Sequence, residues 1–132
     1  MRLLFDTNVI FDVIERRHGH YSASLQMVKQ ARRGAVEAAI ASHTVANAFY
    51  RYQKAAIPVL KEFFLDEMEV VCGNAHQVIA VINLGFSDLE DALQVAAAMA
   101  WKSAFIITCN ERDFRRSPVP AISPAAYLKR FH

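Results

Sequence analysis

Apolar residues along the chain fall into short clusters whose spacing alternates between a continuous run and a helical repeat. Leu3-Leu4-Phe5 is a continuous run and reads as a short buried strand. From Asn8 to Arg17 the spacing becomes helical, with Val9, Ile10, Val13 and Ile14 on one side, and Asp6 stands at the junction. A second helix is predicted from Tyr21 to Arg33, with Leu25, Met27 and Val28 inward and Gly34 ending it. Val36 to Ala41 supplies the second strand. Ser42 or Thr44 can cap a helix to about Ala55, and Pro58 opens a further helix containing Phe63, Phe64 and Leu65. Glu69-Val70-Val71-Cys72 is the third strand candidate. Asn74 to Asn83 is a helix stopped by Gly85, and Ser87 opens another that runs to Trp101. Ala104 to Thr108 is a fourth strand, Ile122 lies in a short fifth, and a last helix starts at Pro124.

Strands alternating with helices predict an α/β fold: a mostly parallel sheet of four to five strands, covered by helices on both faces. The 132 residues suit one domain, residues 1–132, with no internal repeat and no long linker. Hydrophobic residues make up 54% and charged residues 21%, which excludes a disordered chain and leaves apolar surplus for a partner surface. A formal charge of +2 is too small to mark the whole molecule as a nucleic-acid binder, so such a role rests on local patches. Cys72 and Cys109 lie in different segments without metal-ligand spacing, as in a reduced intracellular protein. The apolar start is too short for a signal sequence, and no run approaches the ~20 residues needed to span a membrane. The expectation is a soluble, cytoplasmic protein with no membrane partner.

In an open parallel sheet, ligands bind beyond the carboxyl ends of the strands. The polar residues expected there are Asp6 after the first strand, Thr108 and Asn110 around the end of the fourth, and Asp88 and Asp91 in the first turn of the Ser87 helix. Two or three carboxylates suffice to hold Mg²⁺, which keeps several waters, against a phosphate. Such an ion lowers the pKa of a water for in-line attack on phosphorus and stabilises the departing oxygen. Each acid also has a plain structural explanation. Asp6 can cap the helix that follows it, and Ser87 with Glu90 matches a capping box, making Asp88 and Glu90 first-turn acids. Asp91 sits among Leu89, Ala92, Leu93 and Ala96, beside the face to be buried, where a carboxylate needs a cation or strong donors. The i to i+3 spacing of Asp88 and Asp91 lets both project from one helix face.

Four stretches together resemble a PIN domain of the VapC toxin type: Leu3-Leu4-Phe5-Asp6-Thr7-Asn8-Val9-Ile10, Ala41-Ser42-His43-Thr44-Val45-Ala46-Asn47, Asp88-Leu89-Glu90-Asp91-Ala92-Leu93-Gln94, and Ile106-Ile107-Thr108-Cys109-Asn110-Glu111-Arg112-Asp113-Phe114. The resemblance implies a three-layer α/β/α sandwich and a quartet of acids around one or two Mg²⁺ or Mn²⁺ ions that hydrolyses RNA. The first acid maps to Asp6 and the third to Asp91, whereas the second and fourth positions fall on Asn47 and Asn110. An Asn carbonyl ligates a hard cation but adds no charge and cannot act as a base. Asp88 and Asp113 are the carboxylates placed to compensate. The resemblance further implies a homodimer and a cognate antitoxin protein that silences the enzyme.

Arg16, Arg17, His18 and His20 form one basic cluster and Arg112, Arg115 and Arg116 another; either can hold RNA phosphates beside the acids or be an ordinary solvated turn. His43 is read as structural, and His18, His20 and His76 as surface residues. Phe49, Tyr50, Tyr52, Phe63 and Phe64 read mostly as core, with part of the third helix left for a partner. Two other readings stay open: a PIN module without catalysis that binds RNA or protein, and a haloacid-dehalogenase-like phosphotransferase with Asp6 as nucleophile. The second wants Asp at position 8, where this chain has Asn8.

Overall fold

The computed structural model describes residues 1–131, apart from the side chains of residues 63–65. The expected aromatic roles of Phe63 and Phe64 therefore lie outside the described residues.

Five short strands, β1 (Arg2–Phe5), β2 (Glu37–Ala41), β3 (Glu69–Val71), β4 (Phe105–Ile107) and β5 (Ala121–Ile122), form one sheet in the order β3-β2-β1-β4-β5. Every pairing is parallel. The helices are α1 (Thr7–Glu15), α2 (Tyr21–Arg32), α3 (Ser42–Tyr52), α4 (Ala56–Val59), α5 (Ala75–Asn83), α6 (Leu89–Trp101) and α7 (Pro124–Phe131). A π-helical turn over Leu60–Leu65 continues α4, so Pro58 lies within the start of this helix, where a missing N–H costs little.

Strand residues alternate between two cores. Leu3, Phe5, Ala38, Ile40 and Ile107 pack with Val9, Ile10, Met27, Val28 and Tyr127 on one face. Leu4, Ala39, Ala41 and Ile106 pack with Val81 and the alanine-rich side of α6 on the other. The continuous apolar run of β1 is explained by this double coverage. Small residues bring α6 close to the sheet: a Cβ on Gly73 would meet Ala96 Cβ at 2.6 Å. The result is the expected three-layer α/β/α sandwich.

Three local expectations need correction. Neither Ser42 nor Thr44 caps α3: Ala41 occupies the cap position, because β2 runs straight into the helix, and Thr44 is buried in a side-chain network. The Ser87–Glu90 capping box does not form, because Asp88 takes the cap position of α6 itself. Phe49 and Tyr50 are exposed rather than core, at 45% and 83%, whereas Tyr52 packs edge-on against Phe11 with ring centroids 5.5 Å apart. Among the described residues no helix is long and apolar enough to cross a membrane.

Candidate active site

The chain leaves β1 for β2 on one side of the sheet and later crosses to β4 on the other, so β1 and β4 part at their carboxyl ends. Ligands in open α/β sheets bind at such a switch point. Phe5 pairs with Ile107, which sets Asp6 opposite Thr108 just beyond the register. The Asp6 amide donates to the Ile107 carbonyl at 2.9 Å, and the Thr108 hydroxyl donates to Asp6 Oδ2 at 2.8 Å. Asp6 stands at the N-cap position of α1 without a side-chain capping bond. Its carboxylate is fixed by the neighbouring strand instead.

Helix α6 supplies the second group. The Glu90 and Asp91 amides both donate to Asp88 Oδ1, at 2.8 and 3.2 Å, so the cap does not use Oδ2. Glu90 Oε1 accepts from Asn47 Nδ2 at 2.9 Å. A helical turn over Glu111–Phe114 after β4 brings Asp113 to the same cleft, whose volume is about 590 Å³. Asp6, Asp88, Glu90, Asp91 and Asp113 thus share its lining with Asn47 and Asn110.

The floor is polar. Thr7 and Thr44 share a hydroxyl–hydroxyl hydrogen bond of 2.7 Å, and Gln94 Nε2 donates to both, at 3.0 and 3.3 Å. Gln94 is 1% exposed and lines the cleft, and its Oε1 has no hydrogen-bond partner among the described residues. A buried carbonyl oxygen without a donor is costly, and a cation-bound water or a ligand hydroxyl would satisfy it.

Burial and the charges of neighbouring acids both act on the carboxyl groups. Burial pushes the Asp6 carboxyl up to about 6, against the pull of the Thr108 hydrogen bond, with the charges of Asp113 and Glu90 adding to the rise. Burial also pushes Asp91 up to about 7, reinforced by Asp88, Asp6, Asp113 and Glu90. A divalent cation would offset both effects, and carboxylates with amide carbonyls are an oxygen-donor set that suits a hard ion. Among the described residues these acids do not gather three ligand atoms within 4.8 Å of one another. That spread suits an ion that keeps several of its waters.

The basic residues divide. Arg112 and Arg115 line a second pocket of about 190 Å³, together with Arg116, and this pocket shares Asp91 and Asp113 with the acidic cleft. Arg16 and Arg17 are not among the residues lining either space. Arg16 takes a left-handed turn conformation at the end of α1, with its guanidinium 6.0 Å from the Tyr21 ring, and Arg17 pairs with Asp12 at 3.6 Å and Glu15 at 3.4 Å. Proximity in sequence to Asp6 does not bring either of them into the lining of the cleft. Arg51 lines the cleft instead, gripped by Glu15 at 2.6 Å. Hydrogen bonds from Arg51 and Tyr52 hold the Glu15 carboxyl down to about 2. Arg51 lies four residues after Asn47 on α3, a spacing that could have revealed it. His43 is half-buried beside the site; burial lowers its pKa, and its Nε2 is unpartnered among the described residues.

The sequence model of the PIN domain matches residues 2–112, most of the chain and all four polar stretches up to Arg112. The chain belongs to the PIN-domain family. No curated protein matches it in a sequence comparison. Solved structures do resemble this PIN domain in fold. A toxin-antitoxin complex from Klebsiella pneumoniae is 22% identical with a TM-score of 0.70, the match covering 92% of this chain and 97% of that one. VapBC2 from Rickettsia felis, bound to a DNA fragment from its promoter, is 20% identical with a TM-score of 0.68, over 93% and 98% of the two chains. VapBC-1 from nontypeable Haemophilus influenzae is 16% identical with a TM-score of 0.67, over 95% and 99%.

Proposed function

We propose that this PIN domain is a Mg²⁺- or Mn²⁺-dependent endoribonuclease and the toxin of a toxin-antitoxin pair. The observation that carries the reading is the convergence of Asp6, Asp88, Glu90, Asp91 and Asp113 on one cleft at the switch point of the sheet. Asp6 and Asp91 are the ligands, and a cation between them would offset the burial and the neighbouring acid charges that raise both pKa values. When bound, the ion supplies Lewis-acid stabilisation of the phosphate and activation of a water.

This chain's residues do the rest. Thr108 holds Asp6 in one orientation, and Asp88 fixes the start of α6 while presenting Asp91. Asn47 replaces an acid but holds Glu90 at the cleft, so the carboxylate missing from α3 is restored from α6. Asn110 offers a neutral oxygen, and Asp113 is the acid placed to accept a proton from the attacking water. Arg51 at the rim and Arg112 and Arg115 in the adjoining pocket hold flanking RNA phosphates.

The toxin assignment draws on the fold shared with the toxin-antitoxin complexes. Exposed Phe49, Tyr50 and Ile57, and a mostly apolar groove lined by Val13, Ile14, Tyr21, Leu25, Val28 and Val59 together with Arg16 and Arg32, offer surface for a second copy of the chain and for an antitoxin segment. The setting we assign is the cytoplasm, where RNA and antitoxin meet the protein. Purified protein with Mg²⁺ or Mn²⁺ should cleave structured RNA, and cleavage surviving both Asp6→Ala and Asp91→Ala would refute the mechanism.

A further inference from the structure

A second cluster of ligand atoms lies outside the acidic cleft. Asp12, His20 and Cys109 each place one ligand atom within 4.8 Å of the others, and none of the three lines the cleft. Asp12 is 2% exposed, on the side of α1 turned toward α2. Its two oxygens have different surroundings. Oδ1 faces the Arg17 guanidinium at 3.6 Å, whereas Oδ2 accepts a long bond from the Ser24 hydroxyl at 3.4 Å and one from the Cys109 thiol at 3.3 Å. The charge of the pair with Arg17 thus sits on Oδ1, and Oδ2 is left with a stretched hydroxyl and a weak thiol donor.

We propose that Asp12 Oδ2, Cys109 Sγ and a His20 ring nitrogen form a Zn²⁺ site, with water in the fourth position. Zn–S of about 2.3 Å and Zn–O of about 2.0 Å at a near-tetrahedral angle put sulfur and oxygen about 3.3–3.5 Å apart. The observed 3.3 Å between Cys109 Sγ and Asp12 Oδ2 already meets that requirement. The cation takes the place of the thiol proton between these two atoms, and the proton leaves to solvent. Arg17 stays on the other carboxylate oxygen.

His20 completes the set from an exposed turn. Gly19 turns the chain at φ +84°, and the His20 amide bonds the Arg17 carbonyl at 3.2 Å, which sets the ring at the start of α2. Its exposed side chain can close the remaining distance by rotation without disturbing the core. One thiolate, one imidazole and one carboxylate form a borderline-soft set that selects Zn²⁺ over Mg²⁺. The ion would clip α1 to the segment that follows β4 and carries Asn110.

Cobalt(II) is the probe, because a thiolate ligand gives a near-ultraviolet sulfur-to-cobalt band, and no cleavage assay is involved. The full chain should develop that band with a single equivalent, and Cys72→Ser should develop it equally well. Cys109→Ser should lose the band, and His20→Ala, altered at an exposed position, should weaken binding at least about tenfold. The site is overturned by any one of three results: no band in the wild type, a band that survives Cys109→Ser, or a titration unchanged by His20→Ala. Excess Zn²⁺ should abolish the cobalt band, and excess Mg²⁺ should leave it; displacement by Mg²⁺ would also overturn the assignment.

Discussion

Asp6 and Asp12 are both nearly buried aspartates, one just before α1 and one within it, yet their neighbours have opposite character. Burial raises the pKa of Asp6 to about 6 against hydrogen bonds from Thr108 and the Thr7 backbone, and the charged groups facing it, Asp113 and Glu90, are acids that add to the rise. Asp12 has an arginine, a hydroxyl and a thiol around it. Burial alone therefore does not distinguish a catalytic carboxylate from one that ties helices together. The sign and strength of the neighbouring groups do.

The largest expected effect separates the two aspartates outright. Asp6→Asn should cut RNA cleavage by more than about a hundredfold, beyond what loss of a supporting residue costs, with little loss of melting temperature. Asp12→Ala should do the reverse. It leaves Arg17 and Ser24 with a lost partner and should cost about 1–3 kcal/mol of stability while the folded fraction keeps its cleavage rate. Equal losses of activity in the two variants would break the distinction. Thr108→Val removes the donor that orients Asp6 and should lower activity about 10–100-fold, with a weaker metal requirement curve as its signature.

Proton linkage gives a smaller, graded test. Asp6 and Asp91 keep their protons up to about 6 and 7 in the fold, against 3.8 for an ordinary aspartate. Between those values the folded chain binds more protons than the unfolded chain, so metal-free stability falls as pH rises through that window. Mg²⁺ binds the ionised forms, so the melting shift it produces should grow between about pH 5.5 and 7.5. A shift independent of pH would remove Asp6 and Asp91 as its ligands. The smallest effect is at Asn47: Asn47→Glu should raise metal affinity severalfold, partly offset by repulsion from Glu90.

Sequence spacing located the strands because each is a short apolar run flanked by polar ends, and β1 was visible as doubly covered. Asp6, Asp88, Asp91 and Asn110 were legible as residues at strand ends or a helix start, Asn47 and Asp113 only through the family resemblance, and the structure gathers all six in one cleft. Arg16 and Arg17 do not line the cleft, because Arg16 turns toward Tyr21 and Arg17 pairs with Asp12 and Glu15. Glu90 and Thr44 looked like capping residues, and Gln94 carried no signal of its own. Their roles come from pairing between α1, α3 and α6, which no local pattern encodes. Cys109 and His20 are 89 positions apart, beyond the reach of any metal-ligand spacing rule.

The central claim is that ionised Asp6 and Asp91 hold the divalent cation that drives RNA cleavage. It is tested most directly by titrating Mn²⁺ into wild type and Asp91→Asn while following both metal binding and cleavage of one structured RNA. Wild type should show binding and cleavage that rise together, and Asp91→Asn should lose both. Full cleavage by Asp91→Asn, or wild-type cleavage undiminished in excess chelator, would contradict the account.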